Sequence, residues 1–233
     1  VSRPEVLFRK LPGVKFLDLA ERFPALDKSA VVASAFIRRF PGIDMTHDKA
    51  EALRRLDSVH RAARAELGMV NWPLLTAEQV HGGHIAVIDA PISADRTFAS
   101  CDGLITNQHR LALGIYVADC CAVYLVDPVR EVVGLVHSGK KGSELGIAGV
   151  ALDQMKERFG SEMSEVIVQL SPCIRPPHYE IDFAGMIVEQ CRKRGVLRIH
   201  DDGQCTACDL VSYYSYRAEK GKTGRMLALL GLK

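Results

Sequence analysis

The sequence is poor in aromatic residues, which make up 6% of the chain with a single Trp, and neither sign of charge prevails. Its 30 Lys and Arg stand against 28 Asp and Glu, a formal net charge of +2. A nucleic-acid or membrane-surface protein usually carries a concentrated basic face, so the balance argues against both partners and for a small molecule. No apolar run approaches the roughly 18 to 20 uninterrupted residues of a membrane span, and the opening VSRPEVLFRKLPGV has no long apolar core of a secretory signal. A cytoplasmic address is expected. Linkers, repeats and low-complexity segments are also missing, so residues 1–233 are expected to form a single domain, and no partner protein is implied. The seven cysteines, an odd number without a secretory signal, fit free thiols or metal ligands in a reducing compartment. A core of this size needs no disulfide staple.

What is present is a set of short apolar runs interrupted by two helical patterns. The stretch Gly114–Gly142, GIYVADCCAVYLVDPVREVVGLVHSGKKG, organises the rest. Ile115 to Val126 reads as one buried strand, Asp127-Pro128 as a turn and Val132 to Val136 as its partner. Asp119 and Cys120 are out of place as packing residues inside such a strand, and His137 closes the next one before a Gly-rich turn. Reactive groups at strand ends mark a site.

Elsewhere, Val14–Leu19 and Ala30–Ile37 read as strands. Leu53, Leu56, His60, Ala63 and Leu67 recur at steps of three and four within 46–67, one face of an amphipathic helix. His60 on that face reads as a core histidine. Strands are expected over 84–88, 102–106, 111–113 and 166–170. A helix capped by Ser143 is expected to carry Leu145, Ala148, Leu152, Met155 and Phe159 inward, and another runs from Phe183 to Arg194. The tail from Cys205 mixes aromatic and basic residues. Together these give an α/β fold of mixed sheets covered by helices.

Three residues invite a metal reading. His81 at the Gly82-Gly83 break, Cys120 and His137 offer one thiolate and two imidazoles, a donor set that suits zinc and leaves a fourth position open. Their wide spacing is unlike a zinc finger, so only the fold can bring them together; the alternative is a buried Cys120 and two turn histidines. Asp119 can orient a ligand or move protons, or be a structural Asp. Cys205 and Cys208 form a lone C-x-x-C pair, read as free thiols. Lys141 and the amides after Gly142, leading into a helix, are candidates for an anion such as phosphate, against the reading of a solvated surface turn. Copper is the less favoured metal, because multicopper chemistry needs more clustered histidines than the eight here.

QVHG (79–82), CDGLIT (101–106), VADC (117–120), VHSGKKG (136–142), SPCIRPPHYEID (171–182), CTACD (205–209) and YYSYRAEKGKTGRM (213–226) stand in the order seen in the YfiH or laccase-domain family, also called polyphenol oxidase or purine nucleoside phosphorylase. The chain resembles that family from Gln79 onward. The resemblance implies a four-layer α-β-β-α fold with zinc on His81, Cys120 and His137. It implies phosphorolysis of purine nucleosides such as adenosine, inosine and methylthioadenosine, and deamination of adenosine. Some bacterial relatives are assigned to editing a peptidoglycan precursor, a reaction in which Cys120 would be a nucleophile activated by His137. A third reading is a protein that retains zinc without turnover.

Two departures bear on the pocket. The family's HAGWRG is HSGKKG here, which puts Lys140 and Lys141 where tryptophan and arginine stand and loses the bidentate fork of arginine. The N-terminal FTTRxGGVS pattern is reduced to FIRRFPGIDMTHDKA (36–50), with Phe36 and Arg39 as remnants and Arg54 near the family's asparagine-arginine pair. Arg39 is the further candidate for the phosphate.

Overall fold

Period-2 alternation in the strands stacks two sheets face to face in the computed structural model, which describes residues 19–233. The first sheet runs β1 (Ala20–Glu21), β2 (Val32–Ile37), β12 (Met226–Leu232), β7 (Ala112–Val117), β3 (Leu74–Ala77), β5 (Arg96–Phe98). The second runs β11 (Arg198–Asp201), β10 (Ile167–Leu170), β8 (Cys121–Asp127), β9 (Val132–Ser138), β6 (Gly103–Thr106), β4 (Ile85–Ile88). Both are mixed. In the first, β7, β3 and β5 are parallel and the other neighbours antiparallel; in the second, β10–β11 and β4–β6 are the parallel pairs.

In β12, Met226, Ala228, Leu230 and Leu232 enter the core between the sheets, while Leu227 and Leu229 face the other way, against Ala63. In β8, Ala122, Tyr124 and Val126 enter the same core, and Cys121, Val123 and Leu125 face a second cluster with Ile147, Leu152 and Ile187. Each strand thus buries both faces, because a helix covers the outside of each sheet. α2 (Lys49–Glu66) supplies Ala63 to the first; α4 (Ile147–Phe159) and α5 (Phe183–Lys193) cover the second. The expected α-β-β-α layering is what folds. Tyr124 joins the sheets directly, its hydroxyl donating to the Ala35 carbonyl of β2 at 2.9 Å.

Local chemistry sets the helix ends. Asp48 accepts from the Glu51 amide and starts α2, and Asp182 accepts from Gly185 and starts α5. α4 lies between Gly146 and Gly160, at φ 74° and 70°, a left-handed backbone that glycine adopts without steric penalty.

Several expectations need correction. The run from Ile115 to Val126 is two strands in different sheets, since Ala118-Asp119-Cys120 carries the chain from β7 across to β8. Polar residues mark a crossing there, not an irregularity within one strand. Ser143 does not cap α4. It sits inside α3 (Lys140–Glu144), its Oγ 2.8 Å from that of Ser138. β3 and β5 were not anticipated, nor was the central strand β12 at the end of the tail, and Pro24–Asp27 forms a short helix, α1. The strand expected over 14–19 lies outside the described residues except at Leu19.

Candidate metal centre

The crossing places Cys120 immediately before β8, and antiparallel pairing of Cys121 with Ser138 sets His137 on the neighbouring strand. His81 comes from the loop between β3 and β4. One donor atom from each of His81, Cys120 and His137 lies within 4.8 Å of the others, and Cys120 Sγ is 4.0 Å from His81 Nε2. The sequence trio is therefore one cluster, graded in burial from exposed His81 to buried His137.

Asp102, which sequence reasoning left unassigned, holds this cluster. Its Oδ1 accepts from the His81 amide at 2.8 Å and lies 2.8 Å from His137 Nδ1, and its Oδ2 accepts from Gly82 at 2.7 Å. His81 and Gln79 have left-handed backbone, φ 59° and 66°, which costs about 1–2 kcal/mol at a residue with a β-carbon. The loop is held by Asp102 and by Gln79, whose side chain accepts from the Tyr116 amide and donates to its carbonyl. Gly139 completes the fit, since a β-carbon there would overlap Cys120 Sγ.

The donor set fits a tetrahedral metal. Bond lengths near 2.0 Å to nitrogen and 2.3 Å to sulfur separate tetrahedral donors by roughly 3.3–3.8 Å, within a few tenths of an ångström of the Cys120–His81 distance. The His137 ring is oriented by a carboxylate on Nδ1, the arrangement common to metal-bound histidines. Electrostatics agree. Burial pushes the Cys120 thiol up, but the His137 charge and the hydrogen bonds from His137 and His81 outweigh it and lower the pKa to about 6. Burial pulls His137 down, but Cys120 and Asp102 outweigh it and raise the pKa to about 9. A thiolate is what both metal ligation and nucleophilic attack require.

The centre opens on a cavity of about 740 Å³, ample for a small organic ligand. Aromatic rings line it at Tyr116, Tyr179, Phe183 and Tyr216, and cations at Lys49, Lys140, Arg217, Lys220 and Arg225. The single acid on the wall, Asp119, has both oxygens engaged: Oδ1 accepts from Thr206 Oγ1 at 2.7 Å and Oδ2 from the Arg217 amide at 2.8 Å. These bonds tie the crossing to the C-terminal segments.

The three anion candidates named from sequence do not line this cavity. Arg39 is 2.9 Å from Glu219 and stacks over Tyr214. Lys141 and Gly142 lie in α3, and of the two successive lysines it is Lys140 that reaches the wall. Sequence reasoning missed Lys49, Gln79, Asp102 and Arg225. Gln79, Asp102 and Arg225 sit inside motifs shared with the family, where position in a motif was the available signal; Lys49 sits in the 36–50 stretch that departs from the family pattern.

Residues 39–186 and 178–233 match the family described as multi-copper polyphenol oxidoreductase laccase. Among curated relatives, the purine nucleoside phosphorylase ORF3 of Streptomyces griseus is 29% identical over 198 residues, 74% of this chain and 79% of that protein. The purine nucleoside phosphorylase YlmD of Geobacillus stearothermophilus is 29% identical over 194 residues, 66% of this chain and 70% of that one. The crystal structure of YlmD from Geobacillus stearothermophilus has a similar fold, with a TM-score of 0.77 at 23% identity over 91% of this chain and 94% of its own. A Neisseria meningitidis protein, NMB0706, follows at TM-score 0.73, 21% identity, 92% and 98% coverage. With the match covering well over half of the chain and all three candidate ligands, the chain belongs to the multi-copper polyphenol oxidoreductase laccase family.

Proposed function

We propose that this chain is a single-domain, zinc-dependent purine nucleoside phosphorylase that also deaminates adenosine. The observation that carries the reading is the His81, Cys120, His137 cluster at an aromatic, cation-lined cavity. Relatives named purine nucleoside phosphorylase support it. Zinc is favoured over a multicopper centre because, among the described residues, this trio is the single group of three or more metal-type ligands.

Zinc, when bound, supplies Lewis-acid polarisation of a substrate oxygen or nitrogen. The chain's residues do the rest. Tyr179, Phe183 and Tyr216 offer π-faces for a planar base. Asp102 fixes the His137 ring, and Asp119 positions Cys120 by bridging the crossing to Thr206 and Arg217. Phosphorolysis breaks the bond between base and sugar, adds phosphate to the sugar carbon and delivers a proton to the base.

Purified protein incubated with inosine and phosphate is expected to yield hypoxanthine and ribose 1-phosphate by mass spectrometry, with inosine from adenosine. Both activities should vanish in Cys120→Ala. Metal bound in stoichiometric amount without turnover of either nucleoside would overturn the enzyme reading in favour of a zinc-retaining binding protein.

One geometric feature favours a second reading. Cys120 lies beside His137, which is held by Asp102 on Nδ1, and its thiol pKa is lowered, the order of groups in a cysteine hydrolase. Such an enzyme would act on an amide, as in editing a peptidoglycan precursor. Chelation abolishes the first activity and spares this one, whereas a thiol alkylator in metal-free buffer abolishes this one.

A further inference from the structure

The cavity wall carries two cations, Lys49 and Arg225, that no ion pair neutralises among the described residues. Arg225 is 9% exposed, and its Nη1 donates to the Thr223 and Gly224 carbonyls. Nε and Nη2 have no protein acceptor, and no carboxylate pairs with the guanidinium, among the described residues. A buried cation left unpaired is strongly unfavourable. Lys49 lines the same cavity from the first turn of the 18-residue helix α2. Lys49 is exposed, and as a cation at that end it opposes the helix dipole, an effect offset in part by Asp48 at the N-cap and Glu51 in the first turn.

The two charges feel one another. Burial and then the Arg225 charge pull the Lys49 pKa down, against weaker attraction from Asp102 and Glu78, and burial does the same to Arg225, against attraction from Tyr216 (ring centroid 5.8 Å from the guanidinium), Asp119 and Cys120. Asp119, the acid on the wall, is spent on Thr206 and Arg217. Arg217 itself has Glu180 at 3.1 Å. Lys49, Lys140, Lys220 and Arg225 all line the cavity without an ion pair among the described residues; Arg225 is the buried one, and Lys49 is the lysine on which its charge acts.

We propose that Lys49 and Arg225 form an oxyanion subsite of this cavity that takes a phosphate-type group. The proposal rests on the nucleoside reading for the identity of the neighbouring ligand and names the residues that receive the anion in place of Arg39, Lys141 and Gly142. The guanidinium offers two free donors on one edge for two oxygens of a tetrahedral anion, and the ammonium offers a point charge from the helix start. The group comes either as free phosphate beside a nucleoside or as the phosphoryl group of a nucleotide.

Calorimetric titration of the metal-loaded protein with inorganic phosphate, in a low-salt amine buffer, tests the subsite without turnover. Lys49→Gln and Arg225→Gln are each expected to weaken phosphate at least about tenfold, the loss of one charge-assisted bond, while Lys222→Gln leaves it unchanged. Arg225→Lys, checked with the others for zinc content and melting temperature, guards against misfolding and should retain part of the affinity. Equal phosphate affinity in wild type and folded variants, or no binding to wild type, overturns the subsite. Saturating inosine that leaves phosphate binding intact identifies free phosphate as the source. Inosine monophosphate binding far tighter than inosine, with loss of that gain in the variants, identifies a nucleotide. Phosphate binding lost in the variants of a protein that never cleaves nucleosides retains the subsite and removes the phosphorylase reading. Phosphorolysis with unchanged phosphate KM in both variants does the reverse.

Discussion

Asp102 accepts hydrogen bonds from the His81 and Gly82 amides and faces His137 Nδ1, so changing one carboxylate oxygen reaches two of the three candidate ligands. Asp102→Asn is expected to lower zinc affinity about 10- to 100-fold in competition with a chromophoric chelator, as for other partners of metal-bound histidines. Unchanged affinity would mean that the carboxylate does not orient the ring. Gly139→Ala should displace Cys120, because the added methyl needs the space of Sγ. It is expected to lower zinc stoichiometry and the rate of thiol alkylation in metal-free buffer together. At this scale the trio was legible in the sequence because thiol and imidazole at strand ends have little packing purpose. The anion residues were not, because a positive charge does not report its direction. Arg39 is neutralised by Glu219, a partner separated by 180 positions, which no local pattern reveals.

Helix α2 carries a buried histidine with a pH signature. Burial holds the His60 pKa down to about 4, slightly opposed by Asp57. In the unfolded chain the same imidazole titrates near 6.5, so between those values the unfolded state binds the extra proton. Its contribution to stability is complete above about pH 6.5 and is lost as pH falls towards 4. Urea unfolding at pH 7 and pH 5 should therefore differ less in His60→Phe than in wild type, by about 2 kcal/mol. An unchanged difference would place the acid sensitivity elsewhere. Tyr124 gives a second test, since Tyr124→Phe removes the 2.9 Å bond between the sheets and should cost about 1 kcal/mol in the same assay. The three long helices and most strands of the second sheet were readable from periodicity; the short α1 and α3 were not. The division of 112–127 was not, because a strand buried on both faces reads as continuous apolar sequence on either side of a crossing.

On the scale of the molecule, the three candidate ligands belong to different segments: the β3–β4 loop, the crossing between the sheets, and β9. A metal bound there ties those segments together and stabilises the fold by mass action. At zinc 100-fold above its Kd the gain is about 2.7 kcal/mol, and removal by a chelator should lower the melting temperature by about 5–10 °C, restored by adding zinc back. A melting temperature indifferent to chelation would separate the centre from stability. The layered architecture was legible through the family resemblance and the alternating pattern. The strand order was not, since nothing local says that the last strand lies in the middle.

That last strand has a consequence for synthesis. β12 pairs with β2 on one side and β7 on the other, so residues from near the two ends of the described chain are neighbours, with Leu229 opposite Ala35. While a ribosome is still making the preceding segments, β2 and β7 have a gap between them and the inter-sheet core is open along it. The first sheet closes only when 226–232 emerge, and Arg225 reaches the cavity at the same moment. Until that strand pairs, the edges of β2 and β7 that it will cover stay open.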